Sequence, residues 1–223
     1  MDSWLGMAKI KRRGLMFILS SPSGAGKTTL ARMLLQKDKH LHTSISYTTR
    51  APRPGERDGV DYYFTDRPTF EKMIKDGAFL EYAEFVGNYY GTPLDFVEEQ
   101  LKKGEDVLFD IEWRGNRQLT SIARDDVVSV FIFPPSKQEL LNRLRDRKQD
   151  SDEVVRSRME RTDDDLKHWD DYDYAIINRN LDKSLSKLLW ILRAERLKKA
   201  RRLGVQDFVN QLLKEPINYD TDK

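Results

Sequence analysis

The chain has 223 residues, of which 39% are hydrophobic and 34% charged, which is the profile of one globular domain with its own core. Its 39 basic and 37 acidic residues leave a net charge of only +2, which argues against a general nucleic-acid or membrane role. The absence of cysteine excludes disulfides, thiolate metal sites and cysteine nucleophiles. Because the apolar run Leu15–Leu19 is too short for a signal core or a membrane span, we expect a cytoplasmic protein.

Strands and helices are predicted to alternate along most of the chain. Residues 1–13 are interpreted as a polar extension, within which Met7 is an alternative start. The run Leu15–Leu19 predicts a strand buried on both faces, followed by a turn and a helix. Further strands are predicted from three later apolar runs: Val107–Ile111, Val127–Phe133 and Tyr174–Ile177. This alternation predicts an α/β fold with a parallel sheet and helices on both faces.

Helix boundaries are predicted from capping residues. Thr92 is placed as an N-cap with Pro93 at the first helical position, and Gly104 as the residue that closes this helix. Ser136 and Glu139 predict a capping box, and Asp182 is predicted to open the last long helix.

Two stretches interrupt the alternation. Residues 45–92 combine turn residues with the aromatic run Tyr62–Phe64, which predicts a small β-rich insert with one short helix near Phe70–Lys75. Residues 145–162 are dense in charge and poor in large apolar side chains. We therefore expect this second stretch not to pack deeply and to be mobile.

A phosphate-binding loop is predicted between the first strand and the first helix. Residues 21–28 match the P-loop pattern G-x-x-x-x-G-K-S/T except that Ser21 replaces the first glycine. Lys27 can then reach the β and γ phosphates of ATP, and the Thr28 hydroxyl can bind Mg²⁺. The alternative is a Gly/Ser-rich turn with a chance lysine. The predicted ATP-phosphate site comprises Ser21, Pro22, Ser23, Gly24, Ala25, Gly26, Lys27, Thr28 and Thr29.

A carboxylate ends the second predicted central strand. Asp110 follows an apolar run, as a Walker-B acid does, and at the carboxyl end of a buried strand it would face the ligand crevice. We predict that Asp110 holds Mg²⁺ partly through water and contributes to catalysis. The alternative is a strand-terminal acid that caps a turn.

Several ordered blocks resemble the guanylate kinase family. Residues 44–56 resemble its segment S-x-S-x-T-T-R-x-P-R-x-G-E, and later blocks continue the likeness at 58–64, 79–83, 87–92 and 110–115. The resemblance runs from about residue 14 to about residue 195. It implies a P-loop nucleoside monophosphate kinase that uses Mg²⁺ and ATP to phosphorylate GMP and dGMP.

The resemblance also assigns roles to single residues. The guanine edge would be read by Ser46 and Glu81 with Thr92 near the base, and Glu112 would lie close to the GMP pocket. The GMP phosphate would be held by Arg50, Arg53, Tyr62 and Tyr90. The transferred phosphoryl group would be surrounded by Lys27, Arg147 and Arg158. On this interpretation the domain spans 14–210, with a core at 14–44, 93–144 and 163–210, a GMP-binding insert at 45–92, a lid at 145–162 and a tail at 211–223.

The chemistry of the residues agrees with these roles. Guanine presents N1–H and N2–H₂ donors side by side, which one carboxylate such as Glu81 can accept together, and Ser46 can donate to O6. A dianionic phosphate suits an arginine fork beside tyrosine hydroxyls. The alternatives are a solvated basic loop for Arg50 and Arg53 and an aromatic core for Tyr62 and Tyr90.

Two positions depart from the family pattern. Residues 178–180 read Asn-Arg-Asn where the family typically has Asn-Asp-Asp, so an adenine contact near Asn178 stays open while Arg179 alters the local charge. Arg114 stands where the family often has glutamine.

Other functions remain as alternatives at this point. They are a sugar-phosphate kinase on the same scaffold, a catalytically inactive guanylate-kinase-like domain that binds proteins, and a nucleic-acid binder that uses the basic run at 198–202. We interpret that run as a solvated face of a long helix rather than a nucleic-acid site. The sequence leaves open whether the protein is a monomer or a homo-oligomer.

Overall fold

The computed structural model describes residues 10–85, 87–146 and 152–217. The strands are β1 Lys11–Arg12, β2 Met16–Ser20, β3 Leu41–Thr43, β4 Tyr47–Thr48, β5 Tyr63–Phe64, β6 Phe79–Phe85, β7 Asn88–Pro93, β8 Asp106–Asp110, β9 Val127–Phe133, β10 Tyr174–Ile177 and β11 Arg202–Leu203. The helices are α1 Lys27–Lys37, α2 Arg67–Lys75, α3 Leu94–Lys103, α4 Trp113–Ala123, α5 Lys137–Asp146, α6 Asp152–Lys167, α7 Leu181–Arg196 and α8 Val205–Leu212. Each predicted central strand is present.

A five-stranded parallel sheet in the order β10-β9-β2-β8-β3 forms the centre, as predicted. Its middle strand β2 is buried at every residue. Phe17 and Leu19 pack with α1 and α7 on one face, whereas Met16 and Ile18 pack with α3 and α4 on the other. Because strand side chains alternate between faces, an apolar run without polar interruption is what this doubly covered strand requires. The helices on both faces confirm the predicted α/β architecture.

The predicted insert is a second sheet in the order β5-β4-β7-β6, with α2 packed against it. The Phe70 ring of α2 stacks on the Phe79 ring with centroids 4.4 Å apart and on the Tyr89 ring at 5.1 Å. A Cβ on Gly91 would lie 2.8 Å from Phe79 and 2.9 Å from Phe70, so only glycine lets β7 pass beneath these rings.

The capping residues are only partly as predicted. The Ser136 hydroxyl accepts from the Glu139 amide at 3.1 Å, which confirms the Ser136 half of the predicted capping box, whereas the Glu139 carboxylate accepts from Arg143 at 2.9 Å. Gly104 closes α3 with a φ of 81°, as predicted. Thr92, however, belongs to β7, and Pro93 is the N-cap of α3 rather than its first residue. Asn180 rather than Asp182 caps α7, since its side chain accepts from the Lys183 amide at 3.0 Å.

The predicted limits of the domain also need correction. Residues 10–13 are part of the fold, because β1 pairs with β11 and Arg13 bonds Asp126 at 2.6 Å. The charge-dense stretch forms α6, whose Val155 and Thr162 are buried, so the prediction that this stretch cannot pack deeply is wrong there. That helix also continues to Lys167, past the predicted lid boundary.

The basic run at 198–202 does not lie on a long helix. Helix α7 ends at Arg196, and the run forms a short 3₁₀ turn followed by β11. Arg201 is buried at 6% exposure beside Glu195, so it is not available to a phosphate backbone. Among the residues that the structure describes, no helix is long and apolar enough to cross a membrane.

Candidate active site

The loop between β2 and α1 has the backbone of a phosphate cradle. Gly24 and Gly26 have φ values of 90° and 98°, which side chains other than glycine rarely adopt. A Cβ on Gly26 would in addition lie 2.5 Å from the Asn178 side-chain nitrogen. Helix α1 begins at Lys27, so its unpaired N–H groups and positive dipole end face the loop. This loop can therefore hold phosphate oxygens.

Asn178 fixes the loop from below. Its Nδ2 donates to the Ala25 carbonyl at 2.8 Å, and its Oδ1 accepts from the Ser184 hydroxyl at 2.9 Å. The residue is only 1% exposed. Each of these bonds uses one donor or one lone pair of the amide, and the near-complete burial of the side chain keeps its second N–H and second lone pair away from the surface, so Asn178 supports the loop in this arrangement.

Three predicted residues meet at the mouth of the loop. Lys27 Nζ lies 2.5 Å from Asp110 Oδ1 and donates to the Ile111 carbonyl at 3.3 Å. The Thr28 hydroxyl donates to Asp110 Oδ2 at 3.2 Å. Strands β2 and β8 are parallel neighbours, so the end of β8 brings Asp110 beside the start of α1. Since its side chain remains 35% exposed, Asp110 is open to a ligand from the cleft.

A cavity of about 640 Å³ lies above this cluster. Helix α6 closes one of its sides, where Arg158 Nη1 donates to the Ser23 hydroxyl at 3.4 Å. Glu112, the residue before α4, and Arg114 contribute to the same wall. The predicted lid arginine Arg147 lies outside the described residues.

Sequence reasoning missed three residues that line this cavity, namely Arg161, Asp164 and Asp165. Arg158, Arg161 and Asp165 recur at the i, i+3, i+7 spacing of one helical face, which is a signal that the sequence contained. Burial, followed by the charges of Glu112 and Asp164, raises the pKa of Asp165 to about 6. Two cations and two carboxylates of α6 thus face the phosphate cradle.

A second cavity of about 420 Å³ lies on the other side of the loop and shares Gly24 and Gly26 with the first. Thr29, predicted to contact ATP, lines this cavity together with Arg143 and Arg179. Arg179 therefore lines this second cavity, at the position where the family that the sequence resembles typically has an acid. A nucleotide whose phosphates occupy the loop could extend its base into this space.

Within the insert, Glu81 and Thr92 face each other across β6 and β7. The Thr92 hydroxyl donates to Glu81 Oε1 at 2.7 Å. Thr92 is 2% exposed and Glu81 is 9% exposed. Burial raises the pKa of the Glu81 carboxyl, and the hydrogen bond from Thr92 partly opposes this effect. A buried carboxylate with one oxygen still free to accept is suited to paired N–H donors.

The predicted phosphate ligands of the insert form a second group. Arg50 Nη2 donates to both carboxylate oxygens of Glu56 at 2.9 Å, and its guanidinium carbon lies 5.5 Å from the Tyr62 ring centroid. The Tyr62 and Tyr90 rings are 6.1 Å apart. Arg53 is exposed and its amide donates to Glu56 at 2.7 Å. The structure thus gathers an arginine and two tyrosines around one spot.

Ser46 is half-buried at the edge of the insert sheet, where its carbonyl accepts from the Tyr63 amide at 2.9 Å. This bond continues the pairing of β4 with β5, so the backbone of Ser46 is fixed by the sheet. Its predicted hydrogen bond to guanine O6 stays a prediction.

Comparisons with known proteins agree with this geometry. The family model described as guanylate kinase matches residues 13–195. The chain is 54% identical over 203 residues to a guanylate kinase of Paramagnetospirillum magneticum, covering 91% of this chain and 95% of that protein. It is 55% identical over 206 residues to one of Rhodopseudomonas palustris strain HaA2, covering 92% and 94%.

A solved structure gives the same result for the fold. The guanylate kinase of Anaplasma phagocytophilum superimposes with a TM-score of 0.75 at 35% identity, covering 93% of this chain and 100% of that one. The phosphate cradle, the separate insert with its buried carboxylate and these matches over nearly the whole chain lead to one assignment: the chain belongs to the guanylate kinase family.

Proposed function

We propose that this protein is an ATP:GMP phosphotransferase, which transfers the γ-phosphoryl group of ATP to GMP or dGMP and gives GDP or dGDP and ADP. The observation that carries the proposal is the buried Glu81–Thr92 pair in an insert separate from the phosphate cradle. A cradle alone would fit any nucleoside triphosphate, whereas the buried carboxylate in the insert would select the second substrate. The predicted cytoplasmic location is part of this proposal.

Base selection would rest on Glu81 and Ser46. In the free protein, one carboxylate oxygen of Glu81 is occupied by Thr92. The remaining acceptor capacity would take the N1–H and N2–H₂ donors of guanine, and Ser46 would donate to O6. Adenine offers no such pair of donors, so binding AMP would leave the buried carboxylate unsatisfied.

The phosphate of GMP would lie among Arg50, Arg53, Tyr62 and Tyr90. The Arg50 guanidinium is held through two nitrogens, because Nη2 donates to both Glu56 oxygens at 2.9 Å and Nη1 donates to the Ala51 carbonyl at 2.7 Å, and these bonds fix its plane before the substrate arrives. A preset guanidinium plane favours bidentate recognition of a phosphate over a loosely held charge.

Transfer would need no covalent enzyme intermediate. An oxygen of the GMP phosphate attacks the γ-phosphorus of ATP in line, forming one P–O bond while the bond to the bridging oxygen of ADP breaks. Lys27, Arg147 and Arg158 would neutralise the charge of the group in transit, and the walls of the cavity would exclude water. Catalysis is then positioning plus electrostatic stabilisation.

The residues present fit a magnesium ion. Thr28 Oγ1 and Asp110 Oδ2 are hard oxygen donors 3.2 Å apart at the open mouth of the cradle. No cluster of three or more metal-ligating side chains occurs among the described residues, which suits an ion held mainly by water and substrate phosphates. When bound, Mg²⁺ would be held by these two residues, Asp110 partly through water, and would neutralise phosphate charge.

A coupled assay of ADP formation with ATP against GMP, dGMP, IMP, AMP, CMP, UMP and a phosphorylated sugar tests the proposal. We expect turnover of GMP and dGMP, poor turnover of IMP because it lacks the N2 amino group, and AMP turnover about 10⁴-fold lower. Equal use of AMP and GMP would refute the base-reading role of Glu81. Activity only on a phosphorylated sugar would favour the sugar-phosphate kinase, and no activity on any acceptor would favour an inactive protein-binding domain.

A further inference from the structure

An aromatic contact joins the end of α6 to the start of α4. His168, the residue after α6, stacks on the indole of Trp113, with ring centroids 3.7 Å apart and an angle of 26° between the planes. Trp113 is the first residue of α4 and directly follows Glu112, which lines the catalytic cavity. The stack therefore connects α6 to the wall of the cavity that Glu112 lines.

Arg117 holds this stack in one arrangement. Its Nη2 donates to His168 Nδ1 at 3.2 Å, its Nε donates to Asp171 at 2.8 Å, and its guanidinium carbon lies 5.0 Å from the Trp113 ring. The fully buried Asn116 adds a bond to the Asp171 carbonyl at 3.4 Å. Because Arg117 donates to Nδ1, this nitrogen must be the acceptor of the imidazole, which fixes the ring orientation.

A small change in the angle of α6 at this stack would move Arg158 by a larger distance. Arg158 lies ten residues before His168, mostly along α6, which is a distance of about 15 Å along a helix axis. A tilt of roughly 10° at His168 would displace Arg158 by about 2.6 Å at that distance. Misplacement of a catalytic group by about 1 Å can cost on the order of 10²-fold in rate.

We propose that Trp113 and His168 are positioning residues that set the angle of α6 over the phosphate cradle and so place Arg158 on the transferred phosphoryl group. This inference rests on the proposed function, and it adds a residue pair that contacts neither substrate. Side chains of α6 on the cavity side, from Arg158 to Asp165, would all depend on the same contact.

The competing explanation is that the stack only packs two helices together. Both rings are half-buried and lie outside the two main apolar clusters, so packing alone predicts a modest loss of stability and no specific effect on transfer. A positioning role predicts instead that kcat falls, that KM for GMP does not change, and that the effect requires Arg158.

A double-mutant cycle separates these explanations. We expect His168→Ala to lower kcat about tenfold, or ~1.4 kcal/mol, with KM for GMP within about twofold. His168→Phe, which keeps a stacking ring, should recover kcat to within about threefold of wild type. In the Arg158→Ala background, His168→Ala should change kcat by less than about twofold. Trp113→Phe provides a milder second variant, and His40→Ala serves as the matched control because His40 is exposed and bonds Glu105 away from the site.

Two results would overturn the inference: an unchanged kcat in His168→Ala, or an equal loss of kcat with and without Arg158. Circular dichroism and thermal unfolding of each variant identify a loss of kcat that comes from unfolding. If His168→Ala is unfolded, Trp113→Phe takes its place in the double-mutant cycle with Arg158→Ala. If the wild-type protein does not phosphorylate GMP, the proposed function fails. If it does and the cycle is additive, only this inference fails.

Discussion

Strand β8 carries an aspartate at each end, and the two have opposite surroundings. Asp106, at the amino end, is 0% exposed and accepts four bonds: from the Leu15 amide at 2.9 Å, from Arg12 at 2.5 and 3.1 Å, and from Arg196 at 2.7 Å. Asp110, at the carboxyl end, keeps 35% of its side chain exposed and lines the cavity above the phosphate cradle. One residue type on one strand thus serves two different purposes.

At the amino end of β8, the charged side chains around Asp106 are paired with one another within the protein. Arg196 bonds Asp38 at 2.6 and 3.0 Å as well as Asp106, so that β1, β8, α1 and α7 meet in one network. A buried carboxylate persists only when its charge and lone pairs are satisfied in this way. At the carboxyl end, the charges face a cleft and are left for a ligand to complete, as expected where strands of a parallel sheet end. Stability should therefore depend on the amino end and activity on the carboxyl end.

The largest effect on activity should come from Lys27→Met. Removal of the ammonium from the cradle should lower kcat about 10³-fold, or ~4 kcal/mol, while GMP affinity changes by less than about twofold because the proposed GMP site lies in the insert. Steady-state kinetics and calorimetry with GMP measure the two effects. Lys37→Met, on the exposed last turn of the same helix, is the matched control. Loss of GMP binding in a folded variant would contradict the separation of the two sites.

Asp106→Asn should give the largest effect on stability. The variant leaves Arg12 and Arg196 facing a neutral amide, and breaking a buried ion pair costs about 3 kcal/mol or more in the free energy of unfolding. The kcat of the folded fraction should stay within about twofold of wild type. Denaturant unfolding and kinetics measure both.

Asp110→Asn is the matched counterpart at the other end of β8. It should change the free energy of unfolding by less than about 1 kcal/mol, because the carboxylate is partly exposed, and lower kcat instead. Equal losses of stability in the two variants would contradict the comparison.

Glu81→Gln should have an intermediate effect that is confined to one substrate. The amide keeps the shape and one acceptor but presents N–H where a second acceptor is needed, at a cost of about 2 kcal/mol or ~30-fold in KM for GMP. KM for ATP should stay unchanged. Glu84→Gln, on the same strand with an exposed side chain near Arg67, is the control. An unchanged KM for GMP would show that Glu81 does not read the base.

The central strands and the phosphate cradle could be predicted because their signals are local. The run Val127–Phe133 is apolar throughout and forms β9 within the same bounds. Helix starts were less predictable because neighbouring polar residues compete for the cap: Asn180 takes the position that the sequence assigned to Asp182. Thr92 was assigned to a helix cap, but pairing of β7 with β6 places it opposite Glu81.

The rest required knowledge of tertiary contacts. Asp106 is bonded to Arg12 and Arg196, which lie 94 and 90 positions away in the chain. No local sequence pattern therefore predicts this network. Arg161 and Asp165 show helical spacing, but the sequence does not say which face of α6 turns towards the cradle. The sequence is sufficient to predict elements whose pattern is set by burial in the core. Contacts between charged residues that are distant in the chain can be predicted only once the fold is known.

The smallest predicted effect has the opposite sign and involves Asp165→Asn. Asp165 is half-buried in the cavity near Glu112 and Asp164, and its charge is only partly offset by Lys27 and Arg114. Its ionised form is therefore less favourable in the folded protein than in the unfolded chain. We expect the variant to be more stable than wild type by about 1 kcal/mol at pH 7.5, once solvent screening at this partly exposed site is considered.

The pH dependence tests whether the charge of Asp165 is the cause. The pKa of Asp165 is about 6 in the folded protein and about 4 in the unfolded chain, so the folded state binds more protons between these values and wild-type stability falls as pH rises through them. The stabilisation by Asp165→Asn should therefore be present above about pH 6 and disappear below about pH 4. Asp163→Asn, at an exposed position on the same helix beside Lys137, should show no such gain. A gain in stability that is the same at all pH values would mean that packing, and not charge at the open end of the sheet, limits the stability there.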